Sequence, residues 1–178
     1  MEIKGEKVIL TPIKSEEKDE FYKLATETEG SKFWYGANGI TKEKFFEDWN
    51  DSYFDINSPE KGQCFWIVVN GGKIGQINYN EIDLKNKKVE LDIIIGDEAE
   101  TGKGYGTDAL KALIKYLFDN FDINKIWIEA RGNNPRAIRA YEKVGFKKED
   151  LPSEKENFEG ELVDKVGLEF LRNEFLCN

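Results

Sequence analysis

A turn that contains three glycines, Gly102-Lys103-Gly104-Tyr105-Gly106-Thr107, lies between a predicted strand and a predicted amphipathic helix. Because glycine has no Cβ atom, such a turn lets several backbone N–H groups point into one concavity. The helix that follows adds its own unpaired N–H groups and the positive end of its dipole, a combination that suits a diphosphate. The glycine spacing fits neither a P-loop nor a dinucleotide-binding fingerprint. The turn therefore predicts a strand-turn-helix unit. Its glycines either let the backbone bind a phosphate group or only allow the chain to make a tight turn.

The hydrophobic patterns on either side of this turn predict an α+β domain built around a single sheet. Asn70-Gly71-Gly72 is a strong hairpin signal between two strands, and Gly145 is expected to end the last helix. Phe33-Trp34-Tyr35-Gly36 is expected to be an aromatic loop between the first two helices, whose expected caps are Ser15 and Thr41. The predicted strands are residues 7–13, 64–69, 73–79, 89–95, 125–130 and 161–170, and the predicted helices begin near residues 15 and 41 and after residues 107 and 133.

The sequence contains no histidine, which excludes several kinds of catalytic and metal site. Ser-His-Asp and Cys-His catalysis and His-based metal binding are ruled out, so a general acid or base must be Asp, Glu, Tyr, Lys, Cys or a bound water. The two cysteines, Cys64 and Cys177, are far apart and lack a Cys-x-x-Cys spacing. They predict neither a disulfide framework nor a zinc knuckle, and we expect inert thiols and no metal cofactor.

The net charge of −9, from 35 acidic and 26 basic residues, limits the partners that such a domain can bind. The basic residues are scattered, which argues against nucleic acid. An acidic surface attracts a cationic small molecule or a basic protein segment, or only keeps the protein soluble. Residues 1–178 have the length of one domain. The N-terminus lacks the apolar region of a signal peptide and no apolar run reaches the roughly 18 residues of a membrane span, so we expect no membrane partner and a cytoplasmic location.

A second motif runs from Asn133 to Phe146 and reads NNPRAIRAYEKVGF. It follows the glycine turn at the spacing of one strand-helix unit, and its Asn, Ala, Tyr, Lys and Gly-Phe positions match a motif of the GNAT superfamily. The turn supplies Gly104-Tyr105-Gly106 where that superfamily has Gln/Arg-x-x-Gly-x-Gly/Ala, although Thr101 stands in the Gln or Arg position. That loop binds through its backbone, so the departure matters little. The chain therefore resembles the GNAT superfamily of acetyl-CoA-dependent N-acetyltransferases.

This resemblance implies the GNAT fold and a site for acetyl-CoA as co-substrate. The fold is an α+β arrangement in which a central, mixed, mostly antiparallel sheet of about seven strands is flanked by about four helices. By this resemblance, the strands at 89–95 and 125–130 are expected to splay apart in a V that holds the acetyl-pantetheine arm. The backbone near Ile94 and Ile95 is then expected to face the thioester carbonyl as an oxyanion donor. The other residues implied in coenzyme binding are Gly102, Lys103, Gly104, Tyr105, Gly106, Thr107, Asn134 and Ala137.

The resemblance also implies that the hydroxyl of Tyr141 lies near the coenzyme sulfur, where a phenol can protonate the leaving thiolate. The alternative is that Tyr141 is only a buried aromatic residue. Without histidine, the base that deprotonates the amine is a carboxylate or a water bound to one. Asp92 interrupts an apolar run and is the first candidate for base or amine anchor, with a structural ion pair as the alternative. Glu129, on the adjoining strand, is the second candidate, and Glu90 shares the strand face of Asp92.

Within the superfamily the chain looks most like the aminoglycoside 6′-N-acetyltransferases, so an aminoglycoside or a similar polycationic amine is the expected acceptor. An acidic cleft with aromatic walls suits such a molecule. The residues expected to bind it are Trp34, Tyr35, Glu90, Asp92 and Glu129. Those enzymes have Asp-Gln at Asp92-Ile93 and Asp-Pro at Glu129-Ala130, so the contacts to the acceptor are expected to differ. The residues that carry this resemblance are Phe33 to Gly36, Asp92, Asn133 to Phe146, Glu149 to Pro152, Gly160, Asp164 and Leu168 to Phe170.

Two other functions remain open at this point. The opening residues Gly5 to Leu10 also resemble acetyltransferases that act on a protein N-terminus or a ribosomal protein, and these need a groove for an extended backbone. A non-catalytic acetyl-CoA-binding sensor would keep the coenzyme site without a working acceptor site. Edge strands of this fold often pair across subunits, which also leaves a homodimer open.

Overall fold

A mixed sheet forms the centre of the molecule in a computed structural model that describes residues 2–36, 38–149 and 154–175. In chain order its strands are β1 (Ile3–Lys4), β2 (Ile9–Pro12), β3 (Gln63–Val69), β4 (Gly72–Tyr79), β5 (Lys88–Ile95), β6 (Lys125–Arg131), β7 (Lys147–Lys148), β8 (Glu154–Phe158) and β9 (Glu161–Leu171). The order across the sheet is β1-β2-β3-β4-β5-β6-β9-β7, and β8 pairs with β9 beside this path. The pairs are antiparallel except β5 with β6, which is parallel.

This sheet confirms the expected α+β class and the mixed, mostly antiparallel pairing, but its nine strands in the described residues are more than expected. β1 and β7 have two residues each, too few for a hydrophobic pattern to reveal. β8 was not predicted because its residues, EKENF, are mostly polar. The predicted hairpin between β3 and β4 turns at Asn70 and Gly71, whose φ angles of 49° and 82° suit a two-residue turn.

Helices flank the sheet on both faces. They are α1 (Lys18–Glu27), α2 (Lys32–Tyr35), α3 (Lys42–Asp48), α4 (Tyr105–Asn120), α5 (Pro135–Val144) and α6 (Arg172–Phe175). Thr41 caps α3 as expected, because its hydroxyl accepts the backbone N–H of Lys44 at 3.3 Å. No helix in the described part of the chain combines the length and the apolar character that a bilayer span requires.

Two local expectations about this helical region were wrong. The segment from Phe33 to Gly36 is not a loop, because Lys32–Tyr35 forms a helical turn that ends at Gly36, whose φ is 71°. Ser15 does not cap α1, because it begins a short 3-10 turn and the N-cap position of α1 is Glu17. Both errors concern short helical turns, whose formation depends on packing more than on local sequence.

The two faces of the sheet pack against different helices. Along β4, Ile77 and Tyr79 belong to an apolar cluster that includes the buried face of α4. Gln76 and Asn78 alternate with them and point to the opposite face, as the two-residue period of a strand requires. That opposite face packs against α1 and α3 through a mostly aromatic cluster, which consists of Ile13, Phe21, Ala25, Phe45, Trp49, Phe54, Cys64 and Trp66.

The parallel strands β5 and β6 part before their ends. Their Cα partners run from Lys88 with Lys125 to Leu91 with Ile128, and no pair between the two strands follows in the described residues. Beyond that point β5 remains paired to β4 and β6 remains paired to β9. The expected V-shaped splay therefore lies between residues 92–95 and residues 129–131.

Candidate active site

A cavity of about 650 Å³ opens where β5 and β6 part. The ends of both strands, the glycine turn before α4, one face of α5 and the aromatic turn α2 bound it. The predicted site residues that line it are Trp34, Tyr35, Asp92, Ile94, Ile95, Gly102, Gly104, Tyr105, Gly106, Thr107, Glu129, Asn134, Ala137 and Tyr141. Two predicted residues, Glu90 and Lys103, do not line it. The fold thus brings most of the candidate residues to one place.

The glycine turn forms one end of this cavity with its backbone. Gly102 and Gly104 have φ angles of 73° and 86°, a left-handed conformation that favours glycine, and Gly104 is the N-cap of α4. From Gly102 to Thr107, no backbone N–H donates to an acceptor in the described part of the chain. The side chain of Lys103 turns away and pairs with Glu100 at 3.1 Å. The turn therefore presents a run of unused donors at a helix N-terminus.

Gly106 differs from the other two glycines of the turn because the fold does not require it. It lies in the first turn of α4 without a positive φ. A Cβ atom there would lie 3.7 Å from Ile93 Cδ1 and 3.9 Å from Ile95 Cγ1, which are ordinary contacts. Gly106 also lines the cavity, beside the unused N–H groups. The lack of a Cβ atom at Gly106 leaves room for a group in the cavity to approach the backbone closely.

α5 adds a cationic face to the same end of the cavity. Arg136, Arg139 and Lys143 line it, on one side of the helix. Arg136 forms an ion pair with Glu98 and lies 3.3 Å from Thr101 Oγ1. Arg139 and Lys143 have no ion-pair partner within the described ranges. These three cations were not among the sequence-based candidates, although their spacing would have placed them on one helix face.

Asn134 and Ala137 form the start of α5. The side chain of Asn134 accepts the backbone N–H of Ala137 at 3.2 Å, which is an N-cap interaction. Both residues also line the cavity. The cap therefore fixes the end of α5 that faces the glycine turn.

The backbone of β5 presents alternate residues to the opening. The backbone carbonyl of Glu90 accepts the N–H of Asn80, just beyond β4, at 3.0 Å. The N–H of Gly96 donates to the carbonyl of Ile74 in β4 at 2.9 Å. By the alternation of an antiparallel pair, the peptide groups of Ile94 also face β4, whereas those of Ile93 and Ile95 face the opening. The N–H of Ile95 thus points into the cavity, as expected for an oxyanion donor. The N–H of Ile94 points to β4 instead, and that of Ile93 points into the cavity in its place.

Tyr141 lies on the cavity wall with 7% of its surface exposed. Its ring packs beside Phe146, with ring centroids 6.2 Å apart. Its hydroxyl has no hydrogen-bond partner among the residues described. Burial and the nearby Asp92 carboxylate both raise the pKa of Tyr141 well above its usual value, so the phenol stays protonated at neutral pH. Tyr141 is therefore a proton donor without a competing partner.

Asp92 is held at the other end of the cavity by amide side chains of the neighbouring strand. Asn78 Nδ2 donates to Asp92 Oδ2 at 3.0 Å. Burial raises the pKa of Asp92, hydrogen bonding from Asn78 and Asn80 opposes that rise, and the charge of Glu129 adds to it. No cation pairs with Asp92 among the described residues, so the structural ion pair considered from the sequence is not formed there. Asp92 therefore binds a proton more readily than an exposed aspartate does.

The other two candidate carboxylates have different surroundings. Glu90 accepts a hydrogen bond from Asn80 Nδ2 at 2.9 Å and lies outside the cavity. Burial and the charge of Asp92 raise the pKa of Glu90 to about 7. Glu129 lines the cavity and pairs with Lys165 at 2.8 Å. Glu129 can therefore contact a ligand directly, whereas Glu90 can act on one only through its neighbours.

An aromatic wall, made of Trp34, Tyr35 and Trp49, closes one side of the acidic end. Trp34 stacks on Trp49 with ring centroids 5.8 Å apart and planes inclined by 7°. The Tyr35 hydroxyl accepts from Trp49 Nε1 at 2.8 Å. Burial raises the pKa of Tyr35 to about 12, and the charges of Asp48 and Asp92 contribute to the rise. Trp49 was not a candidate, because nothing in the sequence separates it from the core aromatic residues around it.

Arg131 fastens this wall to the sheet. Its guanidinium donates to the backbone carbonyl of Phe33 and pairs with Glu156 at 2.6 Å. It also lies 3.8 Å from the centroid of the Phe158 ring. These contacts join β6, α2 and β8, so the position of the wall depends on a residue that the sequence did not single out.

Within residues 2–36, 38–149 and 154–175, no group of three or more His, Cys, Asp or Glu side chains could hold a metal ion. Cys64 is buried, and its burial raises the pKa of the thiol, which keeps it protonated. Cys177 lies outside the described residues. So do residues 150–152, which contributed to the aminoglycoside resemblance.

The sequence matches the family model of the acetyltransferase (GNAT) domain over residues 7–147. It is 32% identical over 108 residues to YdaF of Bacillus subtilis (strain 168), whose name assigns it to the ribosomal N-acetyltransferases; the match covers 61% of this chain and 56% of YdaF. It is 37% identical over 59 residues to aminoglycoside N(6')-acetyltransferase type 1 of Klebsiella pneumoniae, which covers 33% of this chain and 29% of that enzyme. The chain thus aligns with little more than half of the length of YdaF and with less than a third of the length of the aminoglycoside acetyltransferase.

The fold agrees with that of solved acetyltransferases. Spermidine N-acetyltransferase from Vibrio cholerae, in complex with CoA and spermine, matches the chain with a TM-score of 0.79 at 20% identity, over 96% of this chain and 98% of that one. At this identity the likeness concerns the fold. Together with the family match over most of the sequence, it shows that the chain belongs to the GNAT family of acetyltransferases.

Proposed function

We propose that this protein transfers the acetyl group of acetyl-CoA to a primary amine of a small polycationic molecule, either an aminoglycoside or a related polyamine. The observation that carries this proposal is the division of one cavity into two ends. One end has unused backbone N–H groups and cations, and the other has carboxylates and aromatic rings. The two ends meet where β5 and β6 part, which is where an acetyl donor and an amine would come together.

The first end suits the anionic part of coenzyme A. The N–H groups from Gly102 to Thr107 can donate to diphosphate oxygens, and the dipole of α4 adds to the attraction. Arg139 and Lys143 carry charges without ion-pair partners in the described residues, so they are available for a further phosphate. We call this region the donor end.

The opening between the strands suits the acetyl-pantetheine arm. Among the residues described, β5 pairs with no strand on the side of β6 beyond Leu91, so the peptide groups of Ile93 and Ile95 are free to bond to the amides of the arm. An N–H group of the same strand edge can also donate to the thioester carbonyl. Such a donor stabilises the negative charge that develops on that oxygen during acyl transfer.

The second end, which we call the acceptor end, suits an ammonium group. Asp92 and Glu129 supply negative charge, and the aromatic wall supplies ring faces that attract a cation. Glu129 is already paired with Lys165. Asp92 has no cation partner among the described residues, so it is the stronger candidate to bind and deprotonate the reacting amine.

The proposed reaction moves two protons through named side chains. Asp92 takes one proton from the ammonium group, which becomes a neutral nucleophile, and the nitrogen forms a bond to the thioester carbon. As the carbon–sulfur bond breaks, Tyr141 gives its phenolic proton to the sulfur. The Tyr141 phenolate then takes the excess proton from the nitrogen, and Asp92 releases its proton to solvent. The products are the amide, the thiol of coenzyme A and one proton.

The charge of the acceptor end favours a polycation over a peptide. Two carboxylates and a pair of stacked indoles within one cavity suit a molecule with several ammonium groups. The local match to an aminoglycoside acetyltransferase supports the same choice. An extended peptide would instead need main-chain partners along a groove.

Measuring the release of free thiol from acetyl-CoA tests the proposal. Separate panels of aminoglycosides, polyamines and N-terminal peptides serve as acceptors, and we expect turnover with at least one aminoglycoside or polyamine. Turnover with peptides alone would overturn the choice of acceptor. Coenzyme binding in calorimetry without turnover in any panel would indicate a sensor.

Two variants locate the base. Asp92→Asn should lower kcat/KM for the amine far more than it weakens acetyl-CoA binding, because Asp92 lies at the acceptor end. Glu129→Gln is the matched control, since it neutralises the second candidate carboxylate, which lines the same cavity. A larger loss in Glu129→Gln than in Asp92→Asn would exchange their roles.

A further inference from the structure

Three amide side chains, Gln76, Asn78 and Asn80, alternate along β4 and the residue that follows it, on the face of the sheet that Asp92 shares. We call them the amide row. Gln76 and Asn78 are 0% exposed, and none of the three lines the cavity. Burying an amide is costly unless it forms hydrogen bonds, so the contacts of the amide row show what it stabilises.

Asn78 is the centre of the amide row and uses both of its amide hydrogens. Its Nδ2 donates to Asn80 Oδ1 at 3.0 Å and to Asp92 Oδ2 at 3.0 Å. Its Oδ1 accepts from Gln76 Nε2 at 3.3 Å. Asn80 Oδ1 is itself fixed as an acceptor, because it also receives the Tyr53 hydroxyl at 3.0 Å. Turning the Asn78 amide over would place oxygen against oxygen at both contacts, so its N–H stays directed at Asp92.

This fixed N–H has two consequences for Asp92. It occupies Oδ2 as an acceptor, so a proton on this carboxyl group belongs on Oδ1. It also stabilises the ionised carboxylate and thereby opposes the effect of burial on the pKa of Asp92. Both consequences come from a side chain that does not reach the cavity.

We propose that Asn78 is a positioning residue for Asp92. Its hydrogen bond directs the proton taken from the amine to Oδ1 of Asp92 and keeps that carboxylate able to act as a base. The inference rests on the proposed function, in which Asp92 deprotonates the acceptor. Asn78 acts through Asp92 alone and touches neither substrate.

Other ionisable groups also face Asp92, and each would influence its titration. They are Tyr35 on α2, Tyr53 in the turn after α3, Cys64 on β3, Glu90 on β5, Glu129 on β6 with its partner Lys165, and Tyr141 on α5. The tyrosines and the thiol have raised pKa values and are uncharged at neutral pH. Asn78 differs from all of them because its hydrogen bond acts without a change of charge.

The test compares Asn78→Leu with Gln76→Met. Both remove a fully buried amide from the same face of β4, but only the first removes a hydrogen bond to Asp92. Titration of the Asp92 carboxyl carbon by 13C NMR in the free protein should show a pKa about one unit higher in Asn78→Leu, the shift expected from one lost hydrogen bond to a charged group. Gln76→Met should titrate like the wild type. If Asn78→Leu does not fold, Asn78→Ala and Asn78→Ser give the same comparison, with the larger upward shift expected in Ala.

The pH profile supplies the functional half of the test. The acid limb of kcat/KM should move to higher pH in Asn78→Leu by the same amount as the NMR titration, and activity should recover at alkaline pH. An unshifted Asp92 titration would overturn the inference, even where the variant has lost activity. Absence of turnover by the wild-type protein would overturn the proposed function instead, and the NMR titration would still decide whether Asn78 controls Asp92.

Discussion

The carboxylate of Asp108, in the first turn of α4, accepts the backbone N–H of Lys7 at 2.7 Å. Its oxygens also accept the N–H groups of Glu6 and Val8, each at 3.0 Å, so one buried side chain closes the turn between β1 and β2. Gly5 leaves room for it, because a Cβ there would lie 2.4 Å from Asp108 Oδ2. The N-terminal hairpin is thereby joined to the helix whose first N–H groups face the donor end.

Replacing Asp108 by Asn should weaken the fold and coenzyme binding together. The amide NH2 would face backbone N–H groups and leave donors unpaired, which costs about 2 kcal/mol. Urea unfolding should show this loss, and the Kd for acetyl-CoA in calorimetry should rise severalfold because the start of α4 shifts. Asp119→Asn, at an exposed ion pair near the other end of α4, is the control and should change neither quantity. Wild-type stability in Asp108→Asn would contradict this account.

Gly106→Ala should separate coenzyme binding from stability. Alanine favours a helix over glycine by up to about 1 kcal/mol, and the added Cβ makes only ordinary contacts inside the protein, so the melting temperature should stay the same or rise. The same Cβ would stand between the unused N–H groups and a diphosphate. Calorimetry should therefore show a Kd for acetyl-CoA at least tenfold higher. An unchanged Kd would mean that the ligand does not approach the backbone at Gly106.

Tyr141→Phe should lower kcat by about a hundredfold, the usual contribution of a general acid, because phenylalanine cannot protonate the thiolate. The ring still packs beside Phe146, so coenzyme affinity should be nearly intact. Tyr35→Phe is the comparison, since it removes a hydroxyl of the aromatic wall and should affect KM for the amine more than kcat. Steady-state kinetics would exclude Tyr141 as the acid if its kcat were that of the wild type.

Glu90 should make the stability of the fold depend on pH. Its pKa is about 7 in the folded protein, whereas an unfolded glutamate has a pKa of about 4.3. The folded state therefore holds an extra proton between these values, and stability falls as the pH rises through 7. Glu90→Gln cannot ionise, so it should raise the free energy of unfolding at pH 8 by about 1 kcal/mol, a figure that allows for screening of a partly exposed group. At pH 5, urea unfolding should show little difference in the free energy of unfolding between Glu90→Gln and the wild type. An equal difference at pH 5 and pH 8 would contradict the raised pKa of Glu90.

The backbone part of the donor end was predictable, because its residues determine backbone geometry at fixed positions along the chain, whereas the three cations of α5 were missed. Gly104 caps α4 in a left-handed conformation, Asn134 caps α5, and Gly145 ends α5 with a φ of 120°. Such requirements depend on a few neighbouring residues, so a sequence motif can record them. The strand-turn-helix order around the splay follows from the same local signals.

The acceptor end was only partly predictable because it depends on distant contacts. The amide row illustrates the difficulty, since alternating polar residues normally indicate a strand face that meets solvent. Here that face is buried under α1 and α3, and its amides bond to one another and to Asp92. Arg131 and Trp49 are similar cases, because their partners in α2 belong to a different element of the chain. Their roles arise only when the chain is folded.

The opening between β5 and β6 also bears on how long the enzyme survives in a cell. Within the described residues, the strand pairing between the two halves of the sheet runs from Lys88 to Leu91, and a ligand in the opening would bridge the halves in the folded state alone. Coenzyme at a hundred times its Kd would add about 2.7 kcal/mol to the free energy of unfolding. Under the proposed function, resistance to proteases would then follow the supply of acetyl-CoA, so the protein would be degraded faster when its coenzyme is scarce.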